Sequence, residues 1–197
     1  SLDQIKDLKG IGKTILAKFQ EYLETGKLRA IEKEKENPLF IFTNIYGVGP
    51  KKAQALIAKG ITTIAQLREN QDELNDKQKI GLEYYEAIEE RIPRAEIVRF
   101  ETVLSDVFKE LEYPSATMEI VGSYRRGAET SGDIDVILTC NKEVFDNFIN
   151  SLIKKNIIIE VLSRGPKKCL VITKLNNNSL ARRVDFLCTS EDEFYFA

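Results

Sequence analysis

The fifteen residues from Gly122 to Val136 read GSYRRGAETSGDIDV. They put a Gly-Ser step, two arginines and two aspartates, Asp133 and Asp135, into one short span. One carboxylate near two arginines would be an ordinary ion pair. Two carboxylates at i and i+2 ask for more. DIDVILT alternates, so in a strand Asp133 and Asp135 project from one face while Ile134 points to the other. Like charges on one face repel unless something cationic lies between them. A pair of divalent ions meets that need, and such pairs serve in-line phosphoryl displacement. RRVDFLC offers a third carboxylate, Asp185, with Val184 and Phe186 on the opposite face. The plainer alternative is a solvated strand end whose aspartates pair with Arg125, Arg126 or Arg183.

The residues just before the aspartates suit a phosphate. A strand ending in Gly122, with Ser123 opening a short helix, would present N–H groups and a hydroxyl to a triphosphate. Arg126 adds a forked donor that matches phosphate oxygens.

A second motif is a repeat. LKGIGKTILAKF (Leu8 to Phe19) and IYGVGPKKAQAL (Ile45 to Leu56) align without a gap, 37 residues apart from Gly10 to Gly47. Each copy holds Gly-x-Gly, Gly10 and Gly12 or Gly47 and Gly49, before a helical stretch. Paired glycines turn the backbone tightly and clear the way for a close approach. The first N–H groups of the following helix bind anions. Lys13, Lys51 and Lys52 place positive charge beside them. Such a hairpin can hold a phosphodiester without reading bases. Two tight interhelical turns are the alternative.

These motifs need elements to position them. The first half reads as short helices. TILAKFQEYL puts Ile15, Leu16, Phe19 and Leu23 on one face and ends at Thr25-Gly26. EKEKEN, from Glu32 to Asn37, is a solvated charge run at a helix end or linker. Pro50 suits a first helical turn and Gly60 a helix stop. DKQKIGLEYYEAIEERIP predicts one helix capped by Asp76 and closed before Pro93. RAEIVRFETVLSDVFKELEY predicts one long helix with Ile97, Val98, Val103, Leu104, Val107, Phe108 and Leu111 inward. After Pro114 come β-branched runs: TMEIVGS, DIDVILTC, NIIIEVLS, KCLVITKL and ARRVDFLC. EVFDNFINSLIKK is a helix between two of them, and NNN at Asn176 to Asn178 turns between adjacent strands. The fold class is α+β, with a helical N-terminal region ahead of a sheet.

Composition narrows the chemistry. The chain has 197 residues, 43% hydrophobic and 30% charged, with a formal charge of −2. This is a folding, water-facing composition. The mild acidity argues against a uniformly basic nucleic-acid binder but leaves room for local cationic surfaces. No apolar run approaches membrane length. There is no histidine, and the three cysteines, Cys140, Cys169 and Cys188, form no CxxC pair. That removes Ser-His and Cys-His catalysis and disfavours zinc. Each cysteine reads as a buried strand thiol, in an intracellular protein.

The longer match narrows the reading further. Gly-Ser, then D-x-D, then a lone Asp on a later strand is the pattern of the nucleotidyltransferases. TGKLRAIEK, YGVGPKKA, LNDKQKIGLEYY, ERIPRAE, GSYRRGAETSGDIDVILT and RRVDF together resemble family X of the DNA polymerases, its beta-type members most of all, across essentially the whole chain and in order. The resemblance implies two helix-hairpin-helix motifs followed by a nucleotidyltransferase palm with a mixed β-sheet. It divides the chain into residues 1–33, the C-terminal part of a lyase domain with the first hairpin; 34–92, a DNA-binding subdomain with the second; and 93–197, the palm.

Residue by residue, it makes Asp133, Asp135 and Asp185 the ligands of two Mg²⁺ or Mn²⁺ ions, with Asp185 also drawing the proton from the primer 3′-hydroxyl. Arg91, Ser123, Arg126, Ser131 and Gly132 match contacts to the incoming triphosphate, and Arg183 lies at the primer end. Gly10, Gly12, Lys13, Gly47, Gly49, Lys51 and Lys52 fall at the DNA backbone. The carbonyls of Lys6, Leu8 and Ile11, and of Thr43, Ile45 and Val48, match positions that hold Na⁺ or K⁺. Lys18 matches the lysine that forms a Schiff base with a deoxyribose 5′-phosphate.

The implied partners are gapped or nicked double-stranded DNA and deoxynucleoside triphosphates, with no membrane and a monomeric enzyme. The implied task is gap filling in base-excision repair. The implied place is the nucleus, or the cytoplasm or virion for a viral enzyme. Three departures stand out. The family's lyase domain begins before residue 1, its thumb would follow residue 197, and Thr14 stands where a phosphate-binding lysine is expected. The expectation is a fragment with little polymerase activity of its own. A template-independent transferase and a DNA-binding scaffold with an inactive palm are the rival readings.

Overall fold

The computed structural model describes residues 2–6 and 8–194. It separates into two compact units, Ser1–Leu82 and Glu83–Ala197.

The first unit is helical. Its helices are α1 (Lys13–Thr25), α2 (Arg29–Lys35), α3 (Pro38–Thr43), α4 (Pro50–Ala58), α5 (Ile64–Glu69) and α6 (Asp76–Glu83). Gly26 closes α1 in the left-handed conformation, φ 69°, which glycine adopts without strain. Pro50 opens α4 at its first turn. Phe42, Ile45, Ala53, Leu56, Leu67 and Leu82 form a buried apolar interior. The face of α1 stays open: Ile15, Phe19 and Leu23 are 39%, 44% and 65% exposed, and no described residue of α1 is buried.

The second unit carries α7 (Tyr85–Glu89), β1 (Ile92–Pro93), α8 (Arg94–Lys109), β2 (Thr117–Ile120), α9 (Gly122–Arg125), β3 (Thr130–Ser131), β4 (Ile134–Thr139), α10 (Lys142–Lys154), β5 (Ile158–Arg164), β6 (Lys168–Thr173) and β7 (Arg182–Thr189). Five strands form one sheet in the order β2-β4-β7-β6-β5. β4 and β7 run parallel, and the other neighbours are antiparallel. The fold is therefore α+β with a mixed sheet. Strand alternation buries Ile134, Val136, Val184 and Phe186 with the apolar stripes of α8 and α10. Phe108, Phe148 and Phe186 stack edge to face at 5.4 and 5.8 Å. The core thus takes one face of β4 and β7, and their alternate residues are left for the other.

Several local expectations change. The stretch from Asp76 to Pro93 is two helices, broken at Tyr84, followed by the short strand β1. Asn75, not Asp76, caps α6. Its Oδ1 accepts from the Gln78 N–H at 3.0 Å, while Gln78 Oε1 accepts from the Asn75 N–H at 3.1 Å. This reciprocal pair satisfies two helix-end groups at once. On α8, Phe100 replaces Val98 in the core, because positions 97, 100, 104 and 107 share the helical face and Val98, 46% exposed, does not. Cys140 lies one residue past β4 and is only partly covered, whereas Cys169 and Cys188 are buried. Cys140 Sγ sits 3.4 Å from Cys188 Sγ, and burial pushes its thiol up to about 12.

Candidate active site

Asp135 and Asp185 face each other across the parallel pair β4–β7, in register. Asp133 sits just ahead of β4 on the same face. Ligand oxygens of the three carboxylates all lie within 4.8 Å of one another. The strand alternation that sends Ile134, Val184 and Phe186 inward is what turns these side chains out.

The charges around the triad are uneven. The Arg183 guanidinium binds Asp133 through Nη2, and its Nε lies 3.8 Å from Asp185 Oδ1. Lys168 Nζ lies 3.8 Å from Asp185 Oδ2. Both Asp185 Oδ1 and Arg183 Nε are buried without a hydrogen-bond partner. A buried, unpaired carboxylate oxygen is costly unless charge is supplied to it. Burial pushes the Asp135 carboxyl up, and the Asp133 charge adds to the rise, against the pull of Arg183, Lys168 and Arg126. Burial likewise raises Asp185, opposed by Arg183 and Lys168 and reinforced by Asp133 and Asp135. An all-oxygen donor set with one orphaned oxygen fits a hard divalent cation such as Mg²⁺.

A pH dependence follows from these two rises. A carboxyl raised on folding favours its protonated form in the folded chain. The stability this gives is full below the ordinary carboxylate range, near pH 4, and is lost as pH climbs through the raised values. At pH 7 the ionised Asp135 and Asp185 carboxylates are therefore a net strain without a cation. Mg²⁺ should relieve it and raise the melting temperature by about 2–4 °C, the shift expected for roughly 1 kcal/mol. Thermal denaturation with Mg²⁺ against chelator checks this. The increment should vanish below about pH 4, and one that persists there would assign the ion to other residues.

Gly122 is where backbone meets carboxylate. It adopts φ +60°, and a Cβ on it would lie 2.0 Å from Asp135 Oδ2. No side chain fits unless Asp135 or α9 moves. Gly122→Ala should weaken Mn²⁺ binding about tenfold, in line with strain of roughly 1–3 kcal/mol. Calorimetric titration measures it, and unchanged affinity would place Asp135 outside the cation site.

Beside the triad, the expected triphosphate residues form a connected group. Ser123 Oγ donates to Ser131 Oγ at 2.7 Å. Arg91 donates through Nε to Thr130 Oγ1 at 3.1 Å and through Nη2 to the Thr130 carbonyl at 2.5 Å. Pairing of β1 with β3 sets Ile92 opposite Ser131 and so brings Arg91 to that strand. A Cβ on Gly132 would meet Arg91 Nη1 at 3.4 Å. Arg126 joins Gly122, Arg125, Asp135, Lys168 and Asp185 in lining a cleft of about 360 Å³.

Lys168 and the supports behind the site stand outside the motifs of the sequence, whereas Arg125 was among the arginines expected near the aspartates. Lys168 was legible, because the NNN turn makes β6 and β7 antiparallel neighbours and fixes Leu170 opposite Asp185. The supports had no such signal. Arg94 lies 4.2 Å over the Tyr124 ring and donates to the Tyr124 carbonyl at 2.7 Å, and Tyr124 donates to Glu101 at 2.8 Å. Arg182, at the start of β7, holds Glu96 with two bonds of 2.8 Å and donates to the Glu90 carbonyl at 3.0 Å.

The residues expected at DNA lie in the helical unit. The two Gly-x-Gly copies share one backbone geometry. Gly10 and Gly47 have φ 94° and 81°. Gly12 and Gly49 are extended N-caps of α1 and α4. The Ile11 N–H donates to the Leu8 carbonyl as the Val48 N–H does to that of Ile45, both at 3.0 Å. The Thr43 hydroxyl donates to the carbonyls of Leu39 and Phe40 at 3.0 Å, and Lys6 gives its N–H to the Leu2 carbonyl at 3.1 Å. Lys13 and Lys51 are exposed. Lys52 lies 3.8 Å from Glu73, which Lys59 also binds. Lys18 is exposed on α1.

Comparison with known proteins adds independent weight. A family model described as DNA polymerase beta palm matches residues 91–191. Another, described as the fingers domain of DNA polymerase lambda, matches residues 41–89. The chain is 34% identical over 215 aligned positions to DNA polymerase lambda of Arabidopsis thaliana, covering 100% of the chain and 40% of that protein. It is 29% identical over 204 positions to the DNA polymerase type-X family protein pol4 of Schizosaccharomyces pombe, covering 95% of the chain and 40% of that protein. The chain thus spans about two fifths of the length of these relatives. Beta and lambda both appear, so the comparisons support the family rather than its beta-type branch.

Proposed function

The chain belongs to family X of the DNA polymerases, and on that premise we propose that it carries the centre for adding deoxynucleotides to a primer 3′-hydroxyl at short gaps in DNA. The observation that carries this reading is the convergence of Asp133, Asp135 and Asp185 beside the Arg91–Ser123–Ser131 group, with Asp185 Oδ1 buried and unpaired. Asp133, Asp135 and Asp185 would hold two divalent cations. When bound, these supply activation of the attacking hydroxyl and neutralisation of charge on the departing pyrophosphate.

The chain's own residues do the rest. Ser123, Ser131, Gly132, Arg91 and Arg126 hold the triphosphate and orient it toward the triad. Asp185 takes the proton of the primer hydroxyl. Arg183, tied to Asp133, keeps the triad's charge balanced at the primer end. In the helical unit, the two Gly-x-Gly turns grip DNA phosphates with amides and with Lys13, Lys51 and Lys52, and their carbonyls hold Na⁺ or K⁺. The biological setting is base-excision repair of chromosomal DNA in the nucleus, by a monomeric enzyme. Lys18 is the candidate for deoxyribose phosphate removal.

Primer extension by the full-length protein with Mg²⁺ on a one-nucleotide gap, with and without a template base, tests the reading. Incorporation of the matched nucleotide alone is expected. Addition without template would make this a template-independent transferase, and no addition would make it a scaffold. For the hairpins, Lys51→Ala with Lys52→Ala should flatten the slope of log K against log salt by about 0.9 for each phosphate no longer neutralised. An unchanged slope would take these lysines off the DNA.

A further inference from the structure

The stretch LNDKQKIGLEYY supports the family resemblance, but the chemistry so far gives it no task. In the fold it builds α6, which lies against the second Gly-x-Gly turn. Two of its residues, one helical turn apart, meet that turn. Gln78, 8% exposed, donates from Nε2 to the Gly47 carbonyl at 2.8 Å. Gly81 approaches so closely that a Cβ on it would lie 2.6 Å from the Tyr46 carbonyl oxygen and 2.9 Å from the Tyr46 nitrogen. The other end of the Gln78 amide is fixed too, since Oε1 accepts from the Asn75 N–H at 3.1 Å. A buried amide bonded at both ends has one orientation, and so has the carbonyl it holds.

The first turn is built differently. A Cβ on Gly10 would meet no described atom within 4 Å, where one on its counterpart Gly47 would meet Gln78 Cγ at 3.3 Å, and Leu8 is 56% exposed where its counterpart Ile45 is buried. The two turns share their dihedral angles and their internal hydrogen bond, yet only the second has a helix holding its carbonyls among the described residues. The carbonyls against α6 are those of Tyr46 and Gly47. They are not the three, Thr43, Ile45 and Val48, expected to face a cation.

We infer that Gln78 is a positioning residue for the second hairpin: with the clearance Gly81 provides, it pre-forms the Ile45–Gly49 turn for a DNA phosphate. The inference rests on the reading that these turns bind phosphodiesters. A turn fixed beforehand loses less conformational freedom on binding, which raises affinity without a new contact.

The test measures affinity for a gapped duplex at several salt concentrations, in the whole chain. Gln78→Glu keeps the acceptor for Asn75 but sets a carboxylate against the Gly47 carbonyl. Gln78→Met removes the bond while keeping the length of the side chain. Both should bind about tenfold more weakly, the scale of one lost buried hydrogen bond, and should flatten the salt slope by about 0.9 per phosphate released. Loss of folded fraction alone would lower affinity without changing the slope. Wild-type affinity and slope in a folded variant would overturn the inference. Failure of both variants to fold would overturn it as well, by making Gln78 a residue of the fold. Failure of the underlying reading looks different: the wild-type chain would not bind DNA, or Lys51→Ala with Lys52→Ala would bind as wild type.

Discussion

Replacing Asp185 by Asn is expected to lower the turnover of the full-length protein about a thousandfold, on the order of 4 kcal/mol of barrier. DNA affinity should change little, because the residues proposed to grip the backbone lie in the other unit. The same change should raise the melting temperature of the metal-free protein. Asp185 is raised by burial, its Oδ1 has no partner, and Asp133 and Asp135 add like charge. An amide removes that charge at small change of shape. Activity lost and stability gained together mark a group kept for chemistry at the expense of packing. Near-normal turnover would take Asp185 out of the proton and cation roles. A lower melting temperature would recast it as a structural partner of Arg183.

Glu96→Leu should destabilise the second unit by about 3–5 kcal/mol, the usual consequence of leaving one member of a buried pair alone. Arg182 is 2% exposed and has its guanidinium committed to both Glu96 oxygens and to the Glu90 carbonyl. Without Glu96 its charge stays buried with one carbonyl for company. The double variant Glu96→Leu with Arg182→Met should recover a large share of the loss, since two apolar groups of similar volume leave no unpaired charge. Denaturant melts of both variants give the answer. A single variant within about 1 kcal/mol of wild type would mean that water reaches Arg182. The pair also bears on the site, because it ties β7, which carries Arg183 and Asp185, to the segment that leads into Arg91.

The face that carries the three aspartates was legible because strand periodicity is rigid. Once DIDVILT and RRVDFLC are strands with apolar residues inward, the aspartates have one direction left, and the structure brings them together. Neighbouring parallel strands supply the register that alternation alone does not. The Gly-x-Gly repeat was legible for a similar reason, since positive φ at Gly10 and Gly47 fixes both turns alike. Long-range partners were not legible. Alternation turns Arg182 inward with Val184 and leaves Arg183 on the aspartate face, but nothing local in RRVDF says that Glu96, 86 residues away, is there to meet Arg182. The break at Tyr84 was missed because YYEAIEE keeps helical composition through the point where α6 ends. The cap at Asn75 was missed because Asp76, beside it, is an equally good capping residue by type.

Asp133, Asp135 and Asp185 are proposed to hold two divalent ions jointly for a triphosphate. Electron paramagnetic resonance of the chain titrated with Mn²⁺, in the presence of a non-hydrolysable deoxynucleoside triphosphate, tests it most directly. Two Mn²⁺ per chain are expected, spin-coupled at a separation of about 3.5–4 Å, with loss of that coupling in Asp185→Asn. A spectrum of isolated ions in the wild-type chain, or coupling that survives in Asp185→Asn, would contradict it.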